Sequence, residues 1–171
     1  MPQFKHNRQK LLYENFVPGL SQVVFGFFKK IVVAELAAQY VNVIYKHYEV
    51  HSGSTLLLAT YLFAIQIYCD FSGYSDIAIG IARMLGYDLM ENFKLPYFSK
   101  NVTEFWRRWH ISLSTWLKDY LYIPLGGNRK GNYSMYKNLL ITMLLGGLWH
   151  GASWNFIIWC LFKCRKISWY T

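Results

Sequence analysis

The sequence predicts an all-α protein, a bundle of membrane-spanning helices with one amphipathic or re-entrant helix among them. Three observations carry that prediction. Hydrophobic residues make up 54% of the 171 and aromatics 19%, against 16% charged, a balance too apolar for an ordinary soluble domain. The apolar residues are gathered in runs of helical length separated by turn-rich polar stretches. Several of the basic residues fall in pairs between those runs, as Lys29-Lys30, Arg107-Arg108 and Arg129-Lys130, a pattern that suits cytosolic loops and lipid headgroups. The formal net charge of +9 comes with no basic stripe or base-reading motif, so the expected partner is the lipid bilayer and not nucleic acid.

Taken in order, Met1 to Lys10 is polar and basic, and no small-residue cleavage site follows it, so no cleaved leader is expected. Val17 to Tyr45 reads as helix, with the Lys29-Lys30 doublet too central for a plain lipid-facing span. Either the helix breaks there or the lysines snorkel to an interface. Thr55 to Cys69 is apolar except for Gln66 and runs into Asp70-Phe-Ser-Gly-Tyr-Ser-Asp76, then into a second apolar run from Ile77 to Leu85. The first run alone is shorter than the roughly 20 residues of a perpendicular span; if the helix continues, its polar segment lies at membrane depth.

Glu91 to Pro96 reads as a loop, and Asn101 followed by Glu104 is a helix-start signature that places the next helix near Val102. From Thr103 to Leu121, Trp106, Trp109, Leu113, Trp116 and Tyr120 recur at helical spacing among charged residues, predicting an interfacial or cavity-lining helix. Pro124 to Gly131 is a turn-rich basic loop, cytosolic by the positive-inside rule. Tyr136 to Trp149 reads as a further span, with Gly146-Gly147 permitting close helix approach.

Several chemistries lack their residues. Cys69, Cys160 and Cys164 form no CxxC pair and read as apolar fillers. There is no Walker-type phosphate loop, no HExxH and no Gly-x-Ser-x-Gly elbow, and no metal site is expected from two histidines 40 positions apart.

Four features remain as candidates. Asp70 and Asp76 each cost about 2.5–3.5 kcal/mol at bilayer depth unless paired or wet. Arg83, two turns beyond Asp76, or Arg107 or Arg108 from the next helix would supply ion pairs, and supporting such pairs weighs above direct catalysis. His110 is expected on one helix face with Trp106 and Ser114. Taken alone, a histidine among tryptophans is more often a satisfied interfacial or core residue than a catalyst. His150, between Trp149 and Gly151 at the end of an apolar run, would be kept neutral by burial, as a general base requires. A histidine simply hydrogen-bonded at a helix end accounts for it equally well on local chemistry.

Five blocks stand in order: Gln66 to Asp76, Asn92 to Tyr97, Phe105 to Trp116, Asp119 to Arg129 and Gly147 to Ala152. Together they resemble the MBOAT family of membrane-bound O-acyltransferases, most closely its bacterial alginate O-acetylation type. The resemblance covers residues 11–159. It implies a multi-span enzyme of the bacterial cytoplasmic membrane in which a buried histidine meets an acyl donor from the cytosol and an acceptor from the outer side. His150 matches the family's principal catalytic histidine and His110 its second. Acetyl-CoA, or another thioester, is the implied donor, and a cell-envelope polysaccharide such as alginate the implied acceptor. An extracytoplasmic acyl-relay protein is a further implied partner.

For that chemistry, His150 is the candidate base, with an acyl-histidine a less favoured variant. His110, tryptophan N–H groups or an amide near Gly151 are candidate oxyanion donors. Asp70, Asp76, Trp106 and Trp149 are supporting candidates. Arg107, Arg108 and Arg129 suit either a phosphate-bearing donor or headgroups. Residues 160–171 depart from the family pattern, and members are longer at both ends, so the chain reads as a partial domain, 1–171. An inactive remnant is therefore one alternative reading. A proton-coupled transporter using Asp70, Asp76 and His150 is another, but the sequence lacks the repeated broken spans of such proteins.

Overall fold

The computed structural model describes residues 13–129 and 131–150, with Trp149 and His150 described by their backbone alone. Among the described residues the structure is helical apart from turns and one isolated antiparallel pairing of Phe93 with Trp109. The chain divides between Glu91 and Asn92 into two compact units.

The first unit is a pair of long helices. Helix α1 (Tyr13–Phe27) passes through a π-helical segment (Phe28–Ala34) into α2 (Glu35–Lys46), with no break in the backbone. At 1.5 Å per residue this 34-residue rod is about 51 Å long. Helix α3 (Gly53–Met84) has 32 residues and runs for about 48 Å. Both are long and apolar enough to cross a membrane, whose hydrocarbon core is about 30 Å thick. The doublet Lys29-Lys30 therefore does not break the helix. It widens it by one residue per turn, which turns both lysines toward α3.

Local chemistry sets the ends of α3. Ser52 accepts the Thr55 N–H at its start. At its end Gly86 takes φ 78°, and Tyr87 N–H reaches Ala82 O at 2.8 Å while Gly86 N–H reaches Arg83 O at 3.0 Å. This is the Schellman closure, for which a glycine costs least. Helix α3 runs without interruption through the Asp70–Asp76 segment and joins the apolar runs on either side of it.

The two rods meet at glycines. A Cβ placed on Gly80 would lie 2.5 Å from Gly19 O, and one on Gly26 would lie 2.7 Å from Gly73 O. The pairs 19/80 and 26/73 are seven residues apart on each helix and run in opposite directions, so the helices pack antiparallel along a small-residue seam. Further along the same two rods Ala34, Ala37, Val41 and Ala59 are buried.

The second unit is built from shorter pieces. A 3-10 turn (Pro96–Phe98) leads to α4 (Val102–Arg108), α5 (Ile111–Leu117), a π-helical turn (Lys118–Tyr122) and α6 (Asn132–His150). Helix α4 starts at Val102 as its signature predicts. Asn101 Oδ1 accepts Glu104 N–H at 2.8 Å, and the Glu104 carboxylate reaches back to Lys100 N–H at 2.7 Å. The single helix expected from Thr103 to Leu121 is not what forms. It is cut at Trp109 and His110, because the neighbouring segment 92–94 takes the backbone groups that a continuous helix needs. Helix α6 anchors the turn before it through Asn138 Nδ2, which donates to Gly127 O at 3.0 Å.

Candidate functional site

In the first unit, the two aspartates are compensated by the two lysines. Lys29 Nζ lies 2.6 Å from Asp76 Oδ2, with side chains 19% and 21% exposed, and Gln22 Nε2 donates to Asp76 Oδ1 at 3.4 Å. Lys30 Nζ pairs with Asp70 Oδ1 in a more exposed position. The ammonium of Lys29 also stands over the Phe25 ring, 4.7 Å from its centroid. The arginine partners expected from the sequence are not used. Among the described residues Arg83 makes no ion pair, and Arg108 pairs at 2.6 Å with Glu104 on its own helix. The reason is geometric. The lysines and aspartates flank one glycine seam at contact distance, where charges close to one another offset the desolvation of each.

Sequence reading missed Lys29 and Lys30 as partners, although two lysines and two aspartates in otherwise apolar helices are a matched set. It also missed Gln22. Among the described residues, Gln66 Oε1 and Ser72 Oγ are buried without a hydrogen-bond partner.

In the second unit His110 occupies a joint. Trp109 is extended (φ −105°, ψ 125°) and His110 is left-handed (φ 49°, ψ 55°), standing between α4 and α5 as the residue that opens α5. The expected face shared with Trp106 and Ser114 is therefore absent, since the turn at 109–110 rotates α5 away from the helical phase of α4. A left-handed non-glycine residue costs roughly 1–2 kcal/mol and persists only when its surroundings hold it. Phe93 is the ring beside it, with centroids 6.5 Å apart. Phe93 meets Trp109 edge-on at 5.0 Å, and Trp109 stacks on Phe105 at 5.5 Å. Trp106 meets Phe105 edge-on at 4.9 Å. Two of the predicted residues, Trp106 and His110, thus join one aromatic cluster. Arg107 is exposed on α4, and Arg129 is exposed in the turn preceding α6.

Electrostatics at this end follow from local bonds. The backbone N–H of Lys100, and then Arg108, hold the Glu104 carboxyl below its usual range. Burial pushes the phenol of Tyr122 up. His150 is the last residue of α6. Its side chain and that of Trp149, together with Lys130 and Gly151, lie outside the described residues.

Comparison with known proteins places this arrangement. Residues 1–167 match the profile of the MBOAT, membrane-bound O-acyltransferase family. The chain belongs to the MBOAT family. Within it, the chain is 51% identical over 157 residues to a probable alginate O-acetylase of Azotobacter vinelandii, covering 92% of this chain and 31% of that protein. It is 46% identical over 169 residues to a peptidoglycan O-acetyltransferase of Helicobacter pylori, covering 98% and 32%. A teichoic acid D-alanyltransferase of Bacillus subtilis is 33% identical over 121 residues, covering 67% and 31%. The chain thus spans about a third of the length of the curated MBOAT relatives it matches.

Proposed function

We propose that this chain forms part of a membrane-bound O-acyltransferase of the bacterial cytoplasmic membrane, acetylating hydroxyls of a cell-envelope polysaccharide. The observation that carries the reading is the match to O-acetylating relatives at about half identity over nine-tenths of the chain. The donor is a cytosolic thioester, acetyl-CoA in the simplest case. The alginate-acting relatives favour an alginate-like acceptor, with an extracytoplasmic protein relaying the acetyl group.

His150 serves as the base. Its imidazole takes the proton of the acceptor hydroxyl, the oxygen attacks the thioester carbonyl, and the thiolate departs as the C–S bond breaks. A positioned imidazole contributes typically 10²- to 10⁴-fold to such a step. His110 donates to the developing oxyanion, a role in which a single donor is worth about 10²- to 10³-fold. Trp106, Trp149, Arg107, Arg108 and Arg129 serve donor binding, and the Lys29–Asp76 and Lys30–Asp70 pairs hold the two long helices of the first unit together. Two helices able to cross a membrane and a tryptophan-rich broken segment fit a multi-span enzyme with a re-entrant element.

The test grafts this chain in place of the matching third of the A. vinelandii relative and follows transfer from radiolabelled acetyl-CoA in membranes. His150→Ala is expected to lower transfer by at least about 100-fold at unchanged protein level. Full transfer by that variant refutes the role of His150, and no transfer by the unmutated graft refutes the acetyltransferase reading.

A further inference from the structure

We propose that Asn92 is a positioning residue that sets the conformation of His110, an inference that rests on the reading of His110 as a participant in acyl transfer. The spacing of aromatics through residues 103–121 favours a continuous helix, in which Ile111 N–H would donate to Arg107 O and Ser112 N–H to Arg108 O. Both donors are diverted to one residue. Ile111 N–H donates to Asn92 O at 3.1 Å and Ser112 N–H to Asn92 Oδ1 at 3.1 Å. The acceptor is diverted as well, since Arg108 O takes Lys94 N–H at 3.0 Å. Between these bonds stands the Phe93–Trp109 bridge.

The segment that makes these bonds is itself constrained. Leu95 is left-handed (φ 48°, ψ 59°) and precedes Pro96, a place where the chain already has few conformations open to it. Leu95 and His110 are the two non-glycine residues with positive φ among those described, and they lie on the two strands of the same short pairing. Strain on both sides of one backbone pairing is what a segment shows when it is held for the sake of what it presents. Asn92 supplies two acceptors at once, one from its backbone and one from its side chain, and an amide or carboxylate of this length does so while Phe93 stands beside the histidine. Without the side-chain acceptor, Ser112 N–H loses its partner and only the two backbone bonds, Ile111 N–H to Asn92 O and Lys94 N–H to Arg108 O, hold the joint. Ser112 N–H then competes for Arg108 O, and the balance shifts toward a merged helix that carries His110 onto the face of Trp106 and Ser114.

Three variants in the grafted enzyme test this. Asn92→Leu keeps the shape and removes the acceptor, Asn92→Asp keeps the acceptor, and Asn92→Ser shortens it. Selective 13C-histidine labelling in lipid nanodiscs, with the His110 signal identified by its loss in His110→Gln, reads the backbone conformation of His110 directly. Expected are left-handed Cα and Cβ shifts in the parent and in Asn92→Asp, and helical shifts in Asn92→Leu. Turnover of radiolabelled acetyl-CoA should fall about 10- to 100-fold in Asn92→Leu, because a displacement near 1 Å costs on the order of 10²-fold, with KM changed less than about twofold. Asn92→Ser should lie between. A His110 signal unmoved across all three variants overturns the proposal, and should Asn92→Leu not fold, Asn92→Ser and Asn92→Asp carry the same comparison. If the signal moves while His110→Gln keeps full transfer, positioning stands and the participation of His110 falls. If His110→Gln abolishes transfer while Asn92→Leu leaves signal and turnover unchanged, participation stands and positioning falls.

Discussion

Replacing Gly80 by alanine tests the glycine seam most directly. The added Cβ would sit 2.5 Å from Gly19 O, 2.7 Å from Val23 Cγ2 and 3.0 Å from Val23 N. The Val23 methyl can rotate away, but the carbonyl and amide are backbone and move only with their helix. Restoring ordinary contact requires the rods to separate by about 0.8 Å at that level, and forced overpacking of this kind costs typically 1–3 kcal/mol. Two backbone contacts place Gly80→Ala at the upper end, about 3 kcal/mol. The alanine returns about 1 kcal/mol of helix propensity, so the expected net loss is about 2 kcal/mol. Gly53→Ala, with nothing within 4 Å of its Cβ, should be neutral or stabilising by up to about 1 kcal/mol. Reversible unfolding in mixed micelles measures both. The double variant Gly19→Ala/Gly80→Ala should cost less than the sum of the singles, because the first separation makes room for the second methyl. Equal stabilities for Gly80→Ala and Gly53→Ala, or strict additivity in the double variant, would refute the close antiparallel packing.

Two further outcomes follow from the charges. Lys29→Met strands Asp76; breaking a buried pair costs about 3–5 kcal/mol, reduced here to about 2–3 because each side chain keeps about a fifth of its exposure and Gln22 remains. Adding Asp76→Leu should restore most of that loss in the same unfolding assay, and a double variant less stable than Lys29→Met would contradict the pairing. At α4, the Glu104 carboxyl is held below its usual range by the Lys100 N–H first and Arg108 after it. Its contribution is therefore complete above the unfolded value of about 4.3 and is lost as pH falls through the lower folded value. Amide exchange across residues 100–108 should accelerate in that acidic window, and Glu104→Gln should abolish the pH dependence.

Much of the helical framework was legible because its causes are local. The apolar runs on both sides of Asp70–Asp76 mark the stretches that α3 joins, and the start of α4 follows from Asn101 and Glu104. The Asn92, Phe105, Asp119 and Gly147 blocks also marked the family before any coordinates, since motifs in register carry over without geometry. Partner choice was less legible. The need to compensate Asp70 and Asp76 could be read from the cost of a charge in lipid, but Arg83 was as good a candidate on spacing as Lys29.

What the sequence determined by itself, then, is the helical membrane class, a consequence of composition, period and short-range caps, and the family, which its motifs in register carry. Tertiary structure alone decided the rest. The glycine pairs 19/80 and 26/73 bring two backbones together and so select Lys29 and Lys30 as the partners of the aspartates. The bonds from residues 92 and 94 outcompete the helix that 103–121 would otherwise form and leave His110 at a left-handed joint. Both results depend on groups distant in sequence competing for the same backbone and side-chain atoms, a competition that periodicity within one segment does not contain.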